Sequence, residues 1–465
     1  MSKKLINHFQ SKQLSIEERM EAGKALRKKF PRVNQGDYKI SSRRADPVSI
    51  LEAQGKTRLQ TLVPVRYARM LTSPFAFLRG GAAIMAADLA AQGKTTGLQV
   101  QACGDMHVAN FGIFASAERN LVFGINDFDE TIPAPWEWDL KRLAASAVAA
   151  VKFLGGDEKL CKESVTAAVR SYRKRIREYA QMGNLELWYS TLTGSEVMKT
   201  MLPALRKNAE KIMDKARSRT HVQVLEKLTD IVDEQHRLKV NAPFIVRETK
   251  TMQGQTIEEA LAIFLELYFE SLPEDRKELL KHYRIVDVVR KVVGVGSVGT
   301  RCWVIFLKGS HDQDPLFLQI KEAQPSVLEP FVAKSKFKNH GERVVAGQRL
   351  IQGSPDIFLG WLQHAGFHFY VRQLRDMKGG LEFDPNKMKI ENFPRYTELC
   401  GWALALAHAK SGDAAMIAGY AGKSDVLDEA MVRFAFAYDK QTESDYKALM
   451  EAAKSGRIKV ASESE

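Results

Sequence analysis

Two short β-type runs, residues 112–115 and 121–125, flank the turn-like SAERN and predict a hairpin. A hairpin returns the chain to its starting point, so the residues just outside its two strands become neighbours whatever the rest of the fold does. Here those residues are Asn110 and Asp127. A carboxylate and an amide oxygen held side by side suit Mg²⁺, which takes a few hard oxygen ligands from a protein and the rest from water and phosphates. Asp105, five residues before Asn110 in the loop GDMHVANFG, is then placed to accept a proton from, or orient, an attacking hydroxyl. Asp129 in NDFDE reads as an exposed loop charge ahead of a second carboxylate on the metal.

The series resembles the kinase-like phosphotransferases, in which a catalytic Asp is followed five residues later by an Asn metal ligand and then by an Asp-Phe or Asp-Trp metal site. Asp105, Asn110 and the pair Asp127 and Phe128 match those positions. His107 is the residue of the aminoglycoside and choline kinase branch, where protein kinases usually carry Lys or Arg, so the comparison leans towards a small-molecule acceptor. Asp139 in WEWDLKRLA resembles the buried Asp that begins a helix in those enzymes and hydrogen-bonds the catalytic loop from below. The resemblance implies a structural role for Asp139 and for His107. Taken singly, GDMHVAN also reads as a turn with a helix-capping Asp, and NDFDE as a polar loop. All three motifs in order over 36 residues carry the reading.

GVGSVG at 294–299 fits G-x-G-x-x-G, a spacing that kinases share with dinucleotide-binding folds. The flanks separate the two. A Rossmann turn needs a helix directly after its glycines, whereas the following TRCWVIFL is β-branched and aromatic. A glycine loop between antiparallel strands is expected, with Gly294, Gly296, Ser297 and Gly299 over the phosphates of ATP. The next strand, PLFLQIKEA, carries Lys321, which corresponds to the kinase lysine that contacts the α- and β-phosphates. The following helix offers Glu342 as its partner, with Glu329 as the competitor.

In ordinary kinases the glycine loop and lysine precede the catalytic loop; here they follow it. The expected fold is therefore an α+β, protein-kinase-like two-lobe fold that is circularly permuted, with a mostly helical large lobe. Permutation demands that the chain re-enter the helical lobe after the small one. HFYVRQLRDMKGG at 368–380 reads as a strand ending in a crossover, and TELCGWALALAHAKSGD as an apolar helix ending in a loop, so the demand is met. Asp413 in that last SGD ranks below Asp105, because Ala418, five positions on, cannot bind a metal.

The expected organisation is a basic arm at 1–45, helical large-lobe parts at 46–100 and 377–465, a catalytic and metal-binding segment at 101–154, a helical insertion at 155–244 and a small nucleotide-binding lobe at 245–376. Locally, the pattern predicts two helices around a turn over 51–92 and helix throughout 157–238. PFAFLRGGA at 74–82, PWEWDLKRLA at 135–144, RVVAGQRLIQ at 343–352 and AHAKSGDA at 407–414 together resemble one bacterial family of unknown function, DUF2252, over roughly residues 40–440. That family is grouped with the kinase-like superfamily.

Composition bounds these readings. A chain of 465 residues, 45% apolar, can bury substantial cores. No apolar stretch is long enough to span a bilayer and MSKKLINHFQSKQLSIEERM has no apolar signal core, so a soluble, cytoplasmic protein is expected. Cys103, Cys161, Cys302 and Cys400 have no paired metal spacing, and Cys103 reads as a small buried hydrophobe. Of the net charge of +13, 8 units fall in residues 1–45, which hold 12 Lys or Arg against 4 Asp or Glu. This arm reads as a solvated helix, with nucleic acid as its alternative partner; no aromatic-basic recognition motif stands out. The expected activity is ATP- and Mg²⁺-dependent phosphoryl transfer to a small-molecule acceptor. The alternatives are nucleotidyl transfer to a protein and a non-catalytic ATP- or nucleic-acid-binding module.

Overall fold

Small apolar residues at helical spacing build the central layer. In helix Trp136–Phe153 the run LAASAVAAV leaves space on every side, and nearly the whole helix is buried. Helices Glu158–Tyr179, Phe393–Ser411 and Val426–Lys454 pack around it. Asp157 starts the first of these by accepting from Leu160 N at 2.8 Å. Helices Glu158–Tyr179 and Phe393–Ser411 approach so closely that a Cβ on Gly401 would lie 2.0 Å from the Ala168 carbonyl oxygen. Only glycine fits there.

The computed structural model describes residues 6–7, 9–200, 210–211, 213–214, 221–250, 254–292, 294–374, 379–386 and 388–461. The expected crossover at 375–378, the helix expected across 201–209 and the end of the tail at 462–465 lie outside the described residues. With 51% helix and 16% strand, the chain is α+β as the sequence indicates.

Beside the helical layer stands an antiparallel sheet of six strands in the order Gly360–His364, Phe367–Gln373, Pro315–Ala323, Cys302–Lys308, Arg284–Lys291, Ile245–Val246. The glycine segment 294–299 joins two neighbouring strands, and Lys321 lies in the next. Alternation sorts the side chains: Trp303, Ile305, Leu318, Ile320 and Phe369 belong to the core shared with helix Ile257–Glu270, while Lys321 emerges on the other face. Gly360–His364 and Ile245–Val246 went unanticipated because strands of five and two residues show too little alternation to stand out.

Between these layers, Phe111–Ala115 and Leu121–Ile125 form the expected hairpin, in register Phe111↔Ile125. Strands Gln99–Ala102 and Ile132–Pro135 pair beneath it and bring the two loops together. The segment 51–92 proves more divided than its periodicity suggests: Pro47–Gly55, Val63–Met70, Pro74–Gly80 and Ala82–Ala91 are separate helices. Proline in the first turn opens three of the four, since it lacks the N–H that a helix interior requires. Within 157–238 the helical pattern gives way to a hairpin, Thr229–Val232 with Gln235–Leu238. Its turn residues Asp233 and Glu234 take φ of 49° and 60°, the geometry that two-residue hairpin turns require. No single helix among the described residues is long and apolar enough to cross a membrane.

The Gly401–Ala168 approach makes a direct prediction. Gly401→Val forces the two helices apart and is expected to lower stability by about 3 kcal/mol, read as a shift of the urea midpoint at unchanged slope.

Candidate active site

One helix face builds the Asp105 loop. Asp139, Arg142 and Ser146 lie at i, i+3 and i+7 on helix Trp136–Phe153, which places them in one row. Asp139 Oδ2 accepts from Cys103 N at 2.6 Å and Oδ1 from Gly104 N at 2.9 Å. Ser146 Oγ accepts from Val108 N at 3.0 Å. Between these anchors Arg142 Nε donates to Asp105 Oδ1 at 2.7 Å, and Nη2 reaches the same oxygen. Gly104 has φ +82°, and a Cβ there would meet the Glu130 carbonyl oxygen at 2.6 Å, so the loop needs glycine for both conformation and space.

Behind Asp139 a buried relay completes the support. His408 Nε2 lies 3.3 Å from Asp139 Oδ2, and its Nδ1 is 2.8 Å from Tyr172 Oη. The ring of Tyr172 stacks on Trp136 at 5.6 Å. Asp139 thus hydrogen-bonds the loop from beneath. Asp413, by contrast, caps helix Ala414–Ala421 by accepting from Met416 N at 2.9 Å.

Burial pushes the Asp105 carboxyl above the usual carboxylate range, against the opposing pull of Arg142. His107 Nε2 lies 3.9 Å from Asp105 Oδ2. Burial first, then the charges of Arg79 and Arg142, hold the His107 imidazole well below its ordinary value, so it is neutral. Asn110 Nδ2 donates to the Asp105 carbonyl at 2.7 Å, so that the other end of the amide, Oδ1, is the one able to accept. Asn126 N donates to the Asn110 carbonyl at 2.9 Å, closing the base of the hairpin beside Asp127.

Asp129 departs from its expected role as an exposed loop charge. Its Oδ2 accepts from Lys321 Nζ and from Ser297 Oγ at 3.2 Å, and its Oδ1 from Tyr370 Oη at 2.7 Å. Burial works against the charge of both partners, yet Lys321 holds Asp129 below the usual carboxylate range, and Asp127 with Asp129 holds Lys321 above the usual ammonium value. Asp127 goes the other way: burial and then the neighbouring Asp129 push its carboxyl up. Its Oδ1 accepts from Asp129 N at 3.2 Å.

Neither Glu342 nor Glu329 is a hydrogen-bond partner of Lys321 among the described residues. The helix His340–Ile351 reaches the site through Arg343 instead, which donates to the carbonyls of Thr131, Asp129 and Gln324 at 2.6, 2.7 and 2.8 Å. Glu342 and Arg343 are adjacent, and a helix turns each residue about 100° from the last. A small error in helix phase therefore decides which one faces the loop.

Asp105, Asn110, Asp127, Gly294, Gly296 and Ser297 line one cavity of about 110 Å³, with His107 and Asp129 among its other walls. Among the described residues no three His, Cys, Asp or Glu side chains form a closed metal cage. Two hard oxygens, from Asn110 and Asp127, beside a raised carboxyl fit an ion that completes its shell with water and phosphate. A larger cavity of about 370 Å³ lies on the opposite sheet face, where Ile320 and not Lys321 contributes, and its wall is dominated by Phe264, Trp303, Phe367 and Phe369.

Sequence reasoning passed over Arg142, Ser146, His408, Tyr370, Arg343 and the cavity arginines Arg58, Arg66 and Arg79. A signal existed for some. Arg142 and Ser146 follow Asp139 at i+3 and i+7 on one helix row, and Arg66 sits four residues from both Leu62 and Met70, on the apolar side of its segment.

Fold and cleft together define an α+β protein whose sheet and helical layer meet at a carboxylate-lined cavity. The chain belongs to the DUF2252 family of uncharacterised proteins conserved in bacteria, whose profile matches residues 58–452. No curated protein and no solved structure matches it.

The Asp139 anchor is testable by itself. Asp139→Ala leaves two buried N–H groups and His408 without their acceptor and is expected to cost about 3 kcal/mol. Amide exchange at Cys103 and Gly104 is expected to accelerate more than exchange in the six-stranded sheet.

Proposed function

We propose that this protein is a kinase-like phosphotransferase in circularly permuted order, using ATP and Mg²⁺ to phosphorylate a small-molecule hydroxyl. One observation carries the reading: Gly294, Gly296, Ser297 and Asp129, the carboxylate that Lys321 reaches from 192 residues away in sequence, line the same cavity as Asp105, Asn110 and Asp127. A strand, a glycine loop, a second strand, a lysine strand and a helix follow one another in the order this activity uses.

In this reading Asp105 orients the acceptor hydroxyl and takes its proton as the oxygen attacks the terminal phosphorus of ATP, whose bond to the bridging oxygen breaks so that ADP leaves. A raised carboxyl suits that step, since a base works best when its pKa approaches the working pH. Arg142 fixes the Asp105 carboxylate through Oδ1 and leaves Oδ2 towards His107. Asn110 and Asp127 would hold Mg²⁺, which supplies charge neutralisation at the transferring phosphates. Gly294, Gly296, Ser297 and Gly299 contribute backbone that can lie close to phosphate oxygens. Lys321, already charged and aimed at Asp129, would contact the phosphates from the sheet side.

The decisive variant is Asp105→Asn. Steady-state ATP turnover is expected to fall by roughly 10²-fold or more, while binding of a non-hydrolysable ATP analogue with Mg²⁺, followed by calorimetry, stays near that of the parent. Unchanged turnover would remove the reading. Mass spectrometry of reaction products separates phosphoryl from nucleotidyl addition, and a nucleotidyl adduct would replace the proposal with its alternative.

A further inference from the structure

Three arginines line the Asp105 cavity with no carboxylate ion-paired to them among the described residues. Arg66 is 1% exposed. Its Nη2 donates to Gln54 Oε1 and to the Gly80 carbonyl, both at 3.0 Å, while Nε and Nη1 are buried without a partner. Arg58 Nη1 donates to the Val298 carbonyl at 2.5 Å, and its Nε is likewise buried and unpartnered. Arg79 lies over the Phe75 ring at 5.8 Å with its own Nε unsatisfied.

The contrast with the other cationic side chains of the site is sharp. Arg142 is held by Asp105, and Lys321 by Asp129. Folding alone gives little reason to bury a guanidinium with unused N–H groups, because desolvation penalises the charge and the cavity carboxylates Glu130, Asp129 and Asp105, none ion-paired to these arginines among the described residues, offset it only in part. Burial pushes the pKa of all three groups down, and Arg58 lowers Arg66 further. A bound oxyanion would reverse each of these effects. Guanidinium groups suit it, since their planar N–H pairs match two oxygens of a phosphate or carboxylate.

Position assigns the anion. The phosphate-facing groups of the proposed nucleotide site come from the sheet: the glycine loop and Lys321. Arg79 stands where the helical wall meets that loop, its carbonyl oxygen 3.5 Å from where a Cβ on Gly296 would lie, but its charge acts on Asp105 and His107, and Arg66 bonds the carbonyl of Gly80 next to it. Arg58 joins the two walls by gripping the loop at Val298. Resting on the phosphotransfer reading, we infer that Arg58, Arg66 and Arg79 form an anion seat for the acceptor, so the acceptor is a small molecule carrying a phosphate-class oxyanion besides its reacting hydroxyl.

The test uses inorganic phosphate and pyrophosphate as probes on the full chain, titrated by calorimetry. Arg66→Met and Arg79→Met are each expected to weaken anion binding at least tenfold. Arg66→Met is also expected to raise the Tm of the ligand-free protein, because it removes an unpaired buried charge while keeping an apolar stem of similar length. With the nucleotide site saturated by Mg²⁺ and a non-hydrolysable ATP analogue, phosphate is expected to bind as before. Undiminished anion affinity in both variants overturns the seat, and competition between phosphate and the analogue overturns its assignment to the acceptor. Anion binding through Arg66 in a protein that binds no nucleotide supports the seat and removes the phosphotransfer reading instead.

Discussion

The carboxylate of Asp129 is the joint on which the two halves of this molecule depend. Lys321 reaches it from one strand, Tyr370 from the strand paired directly opposite, and Ser297 from the glycine loop. Arg343 grips the Asp129 carbonyl from the helix beside the sheet. A lysine that is only 2% exposed depends on Asp127 and Asp129 to hold its charge, and Lys321, with Tyr370 and Arg372, in turn favours the charged form of Asp129. Sheet and loop are therefore joined through one shared carboxylate. That coupling is what closes the cavity over Asp105.

A second constraint runs underneath. The row Asp139, Arg142 and Ser146 ties both ends and the middle of the Asp105 loop to a helix that is itself packed on all sides. The loop geometry is thus set by the core before any ligand arrives, a preorganisation that the proposed reaction would draw on. The same cavity contains the reverse situation in Arg58, Arg66 and Arg79, whose unsatisfied N–H groups leave interaction energy available to a ligand. A site that is rigid beneath and unsatisfied at its wall is organised for an anion.

Much of this was legible in the chain. The hairpin was, because alternation over ten residues and a polar turn allow few other structures, and Asn110 and Asp127 stand at its two ends on one cavity. The strand–glycine–strand character of 284–308 was legible from β-branched flanks alone. Asp139 was legible only through resemblance; nothing local distinguishes it from Glu137 two residues earlier, whose carboxylate turns to Thr96 instead. The split of 51–92 into four helices was written in its prolines and lost in the apolar periodicity that dominates the segment.

Short-range physics accounts for what the sequence determined by itself: where strands and helices begin, which glycines open turns, and which residues stand at the ends of one hairpin. These depend on side-chain spacing, steric freedom and caps within a few residues. Tertiary structure alone decided the partners. Lys321 met Asp129 and not Glu342, Arg343 rather than its neighbour entered the site, and three cavity arginines were left without an ion-paired carboxylate among the described residues. The reason is that a charge pairs with what docking brings within a few ångströms, and for Lys321 and Asp129 that meant closing 192 residues of chain. No local pattern encodes which carboxylate will be waiting, so the opening hairpin specified the chemistry of the cavity's floor and only the packed fold specified its walls.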